Sequence, residues 1–434
     1  MEEISYSRFI SNVDSTYEKK RLPLSCQLEI TFKCNVNCNM CYCKDLHEPN
    51  ELSTGEIKDL LDVMAEAGTL WLTLTGGDIF MRKDFNEIYL YAVRKGFIIT
   101  LFTNGVLIDE KRADLLAEYP PYKIEVSLYG ATQETYEAVT RTKGSFKRCL
   151  EGVNLLKERG LNVRLKSPIT KTNHHEYWKI KDLAEKITGN YFRFDPMINP
   201  KLDYSQKVLE ERIPPKEVVK LDLVDPHRRR EWIKFARHFD FAPNCDHTFL
   251  CGAGKQSFHI DPQGRMDMCS MARHYNYDLR EGGPSVKKEA FHKAFYELFP
   301  QWFNKRKSQA SKCNTCPVIN FCNRCPGALY LEAQNDEQPV AYYCQSAYLR
   351  HKVFTTLAGK NPPATEYDYL YDEEIQAIVA QCLGDDQIIP EHELTSTDDL
   401  PRPPSACGSC GSGGCGSKKE ERFIPEGAVA LPSI

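Results

Sequence analysis

No stretch of this chain offers the ~18 consecutive apolar residues that a membrane helix needs, and its polar N-terminal segment lacks the apolar core of an export signal. The sequence therefore reads as a soluble, cytoplasmic protein. Excess charge is missing too: 56 basic residues face 60 acidic ones, a formal net of −4. That balance gives no reason to expect nucleic acid or an anionic membrane as partner. Apolar residues, by contrast, are not scarce. At 41% beside 27% charged they allow a large core and exclude wholesale disorder. The 434 residues leave room for two or three domains.

Cysteine is the abundant residue, with 18 copies. Only Cys149 and Cys382 stand apart; the others gather at 26–43, 245–269, 313–344 and 407–415. Disulfides rarely persist in a reducing cytosol, so such clusters point to metal or redox chemistry. Buried structural thiols are the plainer alternative.

From about residue 26 to 195, short β-like runs alternate with amphipathic stretches. Candidate strands are 27–32, 70–75, 98–102, 123–127, 162–166 and 191–195; candidate helices are 54–67, 85–95, 110–118, 145–159 and 174–186. Ser53 or Thr54 can cap the first helix, and Gly68, Gly96 and Gly160 follow helix ends. This alternation predicts an α/β fold: a parallel sheet with helices outside, an open partial (β/α)6 barrel rather than a closed eight-fold one. Ligands then belong on the loops at the strands' C-terminal ends. The expected organisation is an N-terminal extension 1–23, the barrel 24–200, a charged connector 201–240, a cysteine-rich domain 241–360 and a mobile tail 361–434. The basic run 227–230 reads as a solvated helix face, and the tail ends in a Gly/Ser-spaced cysteine segment, Cys407 to Cys415.

Cys34-Asn-Val-Asn-Cys38-Asn-Met-Cys41 follows the first strand directly. Thiolates at this spacing on one loop can converge on three corners of an iron–sulfur cube and leave one iron open. A structural zinc would want a fourth ligand, which Cys43 could supply. Here the sequence resembles the radical S-adenosylmethionine (SAM) enzymes, whose CxxxCxxC motif occupies this loop of a partial (β/α)6 barrel. The resemblance covers roughly 24–200. Met40 stands where the family usually has an aromatic residue, with Tyr42 on the other side of the cysteine.

By that resemblance, Gly76, Gly77 and Asp78 match the motif that binds the methionine amine, with aspartate in place of glutamate. Thr103, Asn104 and Ser127 match polar groups that reach the ribose or carboxylate. Arg141 looks like the arginine that pairs with the methionine carboxylate, a bidentate task suited to guanidinium. Cys251, Cys269, Cys313, Cys316, Cys322, Cys325 and Cys344 are similar to the SPASM domain that follows some of these barrels. Its pattern implies one auxiliary [4Fe–4S] cluster on Cys245, Cys251, Cys269 and Cys325, and another on Cys313, Cys316, Cys322 and Cys344. Two zinc ribbons are the competing reading of these pairs.

What the resemblance implies is an enzyme that passes one electron to the sulfonium of SAM, giving a 5′-deoxyadenosyl radical that abstracts hydrogen. The expected function is oxidative modification of a ribosomally made peptide, forming a thioether or carbon–carbon crosslink. A peptide or protein substrate, a separate leader-binding protein and a reductase or flavodoxin-type electron donor are the implied partners. An anaerobic sulfatase maturase, making formylglycine, is the enzymatic alternative, although Ser270 stands where that family has its basic aspartate and Asp267 lies upstream. A zinc-bearing binding protein without catalysis is the third reading.

Overall fold

Period-two alternation along six short segments builds the sheet. In the computed structural model, β1 (Ser25–Thr31), β2 (Trp71–Gly76), β3 (Ile98–Thr103), β4 (Lys123–Ser127), β5 (Val163–Pro168) and β6 (Arg193–Asp195) run parallel, each beside the next. Residues 20–46, 50–238, 247–249, 251–283 and 285–359 are described. Cys245, Cys382 and the Cys407–Cys415 segment lie outside them. Leu28, Ile30, Leu72, Leu74, Leu101, Ile124 and Val126 are buried on one face of the sheet. The register sets Gln27, Glu29, Thr73, Thr75, Thr100, Lys123 and Glu125 on the other. The expected open α/β barrel is therefore present, with an apolar outer face and a polar inner one.

The connecting helices are α1 (Thr54–Glu66), α2 (Phe85–Arg94), α3 (Glu110–Glu118), α4 (Gln133–Thr140), α5 (Ser145–Glu158) and α6 (Tyr177–Thr188). Ser53 starts α1 through a capping box: its side chain accepts from Glu56 N–H while the Glu56 carboxylate accepts from Ser53 N–H. The short α4, capped by Thr132, is an addition to the expected set. Among the described residues no helix is long and apolar enough to cross a membrane.

The sheet does not stop at six strands. β7 (Ser257–Ile260) pairs parallel with the free edge of β1, and β8 (Arg265–Asp267) and β9 (Asn276–Asp278) extend it antiparallel to nine strands. This departs from the expected boundary at 241. Residues Lys20–Ile213 and Gly254–Trp302 form one compact unit; Pro214–Ala253 belongs to a second, with the described residues from Phe303 on. An uncovered β1 edge would leave backbone donors and acceptors unpaired, and β7 supplies their partners. Strands this short carry too little periodicity to announce themselves.

The second unit holds α7 (Pro215–Val224), α8 (Pro226–His238), α9 (Pro326–Ala333) and α10 (Ala341–Leu357). Trp232 stacks between Phe321 and Phe354, with ring centroids 5.8 and 5.7 Å away. The basic run is not the solvated face expected of it. Arg228 and Arg229 are buried. The Arg228 and Arg350 guanidiniums each donate to Asp222 at 2.7 Å, and Arg229 donates to the Leu223 carbonyl at 2.7 Å. Burial pushes the Asp222 carboxyl up, but the two guanidiniums outweigh it and hold its pKa below the usual range.

Asp222→Ala leaves both cations buried without their carboxylate, a loss of ~3–5 kcal/mol. Urea unfolding should show that loss as a lower midpoint. Because the folded-state pKa is lowered, Asp222's contribution is complete above its ordinary value of 3.8 and fades as pH falls towards the folded value. The variant should lack that component of acid sensitivity.

Candidate active site

β1 ends at Thr31 and releases the chain into the loop that carries Cys34, Cys38 and Cys41. Four backbone hydrogen bonds, in two pairs, shape that loop. Gly77 N–H donates to Thr31 O at 2.8 Å and Asp78 N–H to Lys33 O at 2.9 Å, tying the end of β2 to its start. Asn37 and Asn39 donate to Thr140 O and Val139 O, both at 2.9 Å, tying its middle to the end of α4. Cys38 and Met40 pack with Val139 and Ile198 in a small apolar cluster that also touches Val36, Cys41 and Tyr129.

The two glycines are required by space. A Cβ on Gly76 would lie 2.1 Å from Thr31 O, and its φ of +136° is itself closed to L-residues. One on Gly77 would lie 2.4 Å from Lys33 O and 2.5 Å from Phe32 O. Their absent side chains let β2 press against the cysteine loop.

Asp78 and Thr103 are engaged with protein neighbours. The Asp78 carboxylate is buried and accepts from Phe80 N–H (3.0 Å), Asn104 N–H (2.9 Å) and the Thr103 hydroxyl (2.7 Å). Its own N–H and carbonyl are engaged by Lys33 O and Met81 N. Thr103 also accepts from Gly105 N–H at 3.1 Å. Aspartate, one methylene shorter than glutamate, turns inward and braces the loop. Both residues position others.

Asn104 does reach the thiols. Its amide nitrogen lies 3.6 Å from Cys34 Sγ and donates to Asn35 Oδ1 at 2.8 Å. Ser127 ends β4, and Tyr129 just beyond it packs against the cluster of Cys38 and Met40, where the phenol favours the Cys38 thiolate. Arg141 caps α4 in the left-handed conformation, φ +49°, and its exposed guanidinium makes no ion pair among the described residues. It remains available to a carboxylate.

Burial pushes the Cys34 thiol up to about 11 and Cys38 higher still, and the charge of Cys41 adds to both shifts. Cys41 moves the other way, because the Cys43 thiol 3.8 Å away, backbone N–H groups and Lys201 all favour its thiolate. Thiols held neutral by burial become thiolates when a cationic metal centre joins them. Among the described residues no three His, Cys, Asp or Glu side chains converge tightly enough for a single metal ion. Three thiols spread over one loop suit three corners of an iron–sulfur cube.

In the second unit, Cys313, Cys316, Cys322 and Cys344 line one small cavity, of about 30 Å³, with apolar neighbours including Val318, Leu329, Val340 and Ala347. Arg324 lines it too; its Nη2 donates to Thr248 O at 2.7 Å while Nη1 is buried without a partner. A buried cation beside four thiols fits an anionic cluster. Cys325, half-buried, feels the charge of Cys251. Cys269, by contrast, belongs to the barrel unit.

Two features escaped the sequence. Tyr129 sits inside a segment matched for its serine, and aromatic residues in a barrel are ordinarily read as packing. The other is a buried polar network on the inner face. Glu29 accepts from Tyr42 (2.6 Å) and Arg273 (2.8 Å), His259 Nε2 lies 3.4 Å from it, and His259 Nδ1 pairs with Asp267 at 2.8 Å. Burial opposes ionisation of Glu29, but Arg273 and His259 bring its pKa down to about 2; burial lifts Asp267 to about 6. An acid alternating with aliphatic residues in β1 is the signal that could have revealed it.

Residues 28–187 match the family model of the Radical SAM superfamily, and the chain carries a radical SAM domain. It is 26% identical over 349 residues to the antilisterial bacteriocin subtilosin biosynthesis protein AlbA of Bacillus subtilis, a match spanning 73% of this chain and 69% of AlbA. It is 38% identical over 159 residues to Fe-coproporphyrin III synthase of Methanosarcina barkeri, spanning 36% of this chain but only 40% of the synthase. In structure it resembles SuiB of Streptococcus suis, solved bound to its precursor peptide SuiA, with a TM-score of 0.57 at 14% identity over 80% of this chain and 83% of SuiB.

Asn104→Ala removes the amide donor 3.6 Å from the Cys34 sulfur. Losing ~1 kcal/mol of hydrogen bonding to a one-electron couple lowers its potential by about 40 mV. Electron paramagnetic resonance redox titration should record that fall with unchanged iron content.

Proposed function

We propose that this chain is a radical SAM maturase that oxidatively modifies a ribosomally made peptide, closing a thioether or carbon–carbon crosslink. The observation that carries the proposal is the loop itself: Cys34, Cys38 and Cys41 gathered after β1, with the Asn104 amide directed at the first sulfur and Tyr129 packed beside the second. Cys34, Cys38 and Cys41 would hold the cluster, and it would supply the single electron needed to cleave SAM reductively into methionine and a 5′-deoxyadenosyl radical. The chain's own part is to hold and enclose. Gly76 and Gly77 bring β2 against the loop, Asp78 and Thr103 fix Asn104, and Arg141 offers a fork to the methionine carboxylate.

Cys313, Cys316, Cys322 and Cys344 are assigned to an auxiliary cluster, with Arg324 beside it. Cys245, Cys251, Cys269 and Cys325 are assigned to a second on sequence grounds. Together they resemble a SPASM domain and provide electron acceptors for the substrate radical. The AlbA similarity supports a peptide substrate because it runs far beyond the barrel, whereas the synthase match is confined to 159 residues. A reductase or flavodoxin supplies the electron, and a separate protein presents the leader segment. The chain acts in the cytoplasm.

Formylglycine formation is less well supported. Ser270 replaces the basic aspartate, and Asp267 is buried against His259.

The test is anaerobic incubation of the reconstituted enzyme with SAM, a reductant and precursor peptides encoded beside its gene. The expected result is 5′-deoxyadenosine together with a peptide lighter by two hydrogens. A peptide aldehyde would favour the sulfatase-type reading, and no 5′-deoxyadenosine at all would refute radical chemistry.

A further inference from the structure

The inner face of the barrel is electrically lopsided. On β4, β5 and β6 the register aligns Lys123, Glu125, Arg164, Lys166 and Arg193 on that face. Lys123 and Glu125 pair at 2.6 Å with side chains only 3% and 2% exposed. Lys166 lies 3.1 Å from the other Glu125 oxygen, and Arg193 3.7 Å from the first. Three cations thus share one carboxylate. A fourth, Arg164, stands opposite Glu125 with its Nε buried and without a partner. Asp195 is the other carboxylate on this face, with its Oδ1 accepting from Met197 N–H.

Unmatched positive charge away from water is costly unless an anion completes it. The two cations nearest the strands' C-terminal ends keep access to solvent, Lys166 at 24% and Arg193 at 47% side-chain exposure. The Lys166 ammonium also sits 3.1 Å from the Phe102 ring centroid, which fixes its place without neutralising it. A flexible carboxylate arriving from solvent would find a ready fork in Arg193 and a point charge in Lys166.

We propose that Lys166 and Arg193, backed by Arg164, form a subsite for a carboxylate of the peptide substrate, so that an acidic group is held on the β5–β6 wall of the barrel. This rests on the peptide reading above and narrows the substrate to one with an acidic side chain or a terminal carboxylate near the modified residue. Burial holds the Lys166 amine at about 8, below the ordinary lysine range, which makes it a reactive reporter.

The experiment uses the full chain, anaerobically reconstituted and supplied with SAM, and pulses it with an amine-acetylating reagent. Mass spectrometry reads acetylation of Lys166 against exposed Lys147. Three probes compete: acetyl-Ala-Glu-Ala-amide, its Gln counterpart, and acetyl-Ala-Gln-Ala with a free terminal carboxylate. Protection of Lys166 by the Glu or the free-terminus peptide, at about one-tenth the concentration the neutral peptide needs, is expected and tells the two sources apart. Arg193→Gln, at an exposed edge, should erase most of that preference. Equal protection by all three peptides, protection by none, a preference unchanged in the variant, or a Lys166 closed to the reagent would each overturn the subsite. A chain that modifies peptide yet shows no protection loses the subsite alone; one that shows protection but modifies no peptide loses the maturase reading alone.

Discussion

The site depends on how closely two backbones approach. β2 ends in Gly76-Gly77 lying on the chain just past β1, at a distance that no side chain permits. That contact fixes where the cysteine loop starts, and the Asn37 and Asn39 bonds to the end of α4 fix where it turns back. Asp78 then accepts from Phe80, Thr103 and Asn104, the last of which carries its amide to the first thiol. The thiols are therefore placed by backbone geometry rather than by the metal centre alone. Preorganisation of this kind lets a cofactor bind without first ordering the loop.

Around this loop the barrel's inner face is divided between two charge regimes. On the side of β1, β7 and β8, Glu29 and Asp267 are matched by Arg273 and His259 in a closed network. On β4 to β6 the cations outnumber the carboxylates. A closed network braces the scaffold, whereas an unbalanced one has capacity left for a ligand. In the second unit the Asp222 carboxylate takes both Arg228 and Arg350, while Arg324 keeps a buried Nη1 and Arg350 both Nη atoms without a hydrogen-bond partner.

Much of this was readable in the residues. Six strands and five helices fall within a few positions of their expected places because the alternation of Leu28/Ile30 or Ile124/Val126 with polar residues is strong. The cysteine loop and its glycines were found because spacing and position carry them. The rest was hidden for identifiable reasons. β7 to β9 are short strands whose pairing with β1 is a long-range event. Arg228 looked solvated because its partner Asp222 offers no pattern; six residues separates two helices here rather than two faces of one. The bonds of Asp78 to Thr103 and Asn104 join two strand ends, which its motif position does not announce. Tyr129 matters through its phenol beside Cys38, which no periodicity announces.

The central claim is a cluster with one open iron on Cys34, Cys38 and Cys41. It is tested most directly by comparing the anaerobically reconstituted chain with its Cys34/Cys38/Cys41→Ala triple variant, measuring iron, zinc and the resonance spectrum of the reduced protein with and without SAM. The account predicts about four fewer irons in the variant and a spectral change on adding SAM that only the unmutated chain shows. Equal iron in both proteins, or zinc in place of iron with a spectrum indifferent to SAM, would contradict it.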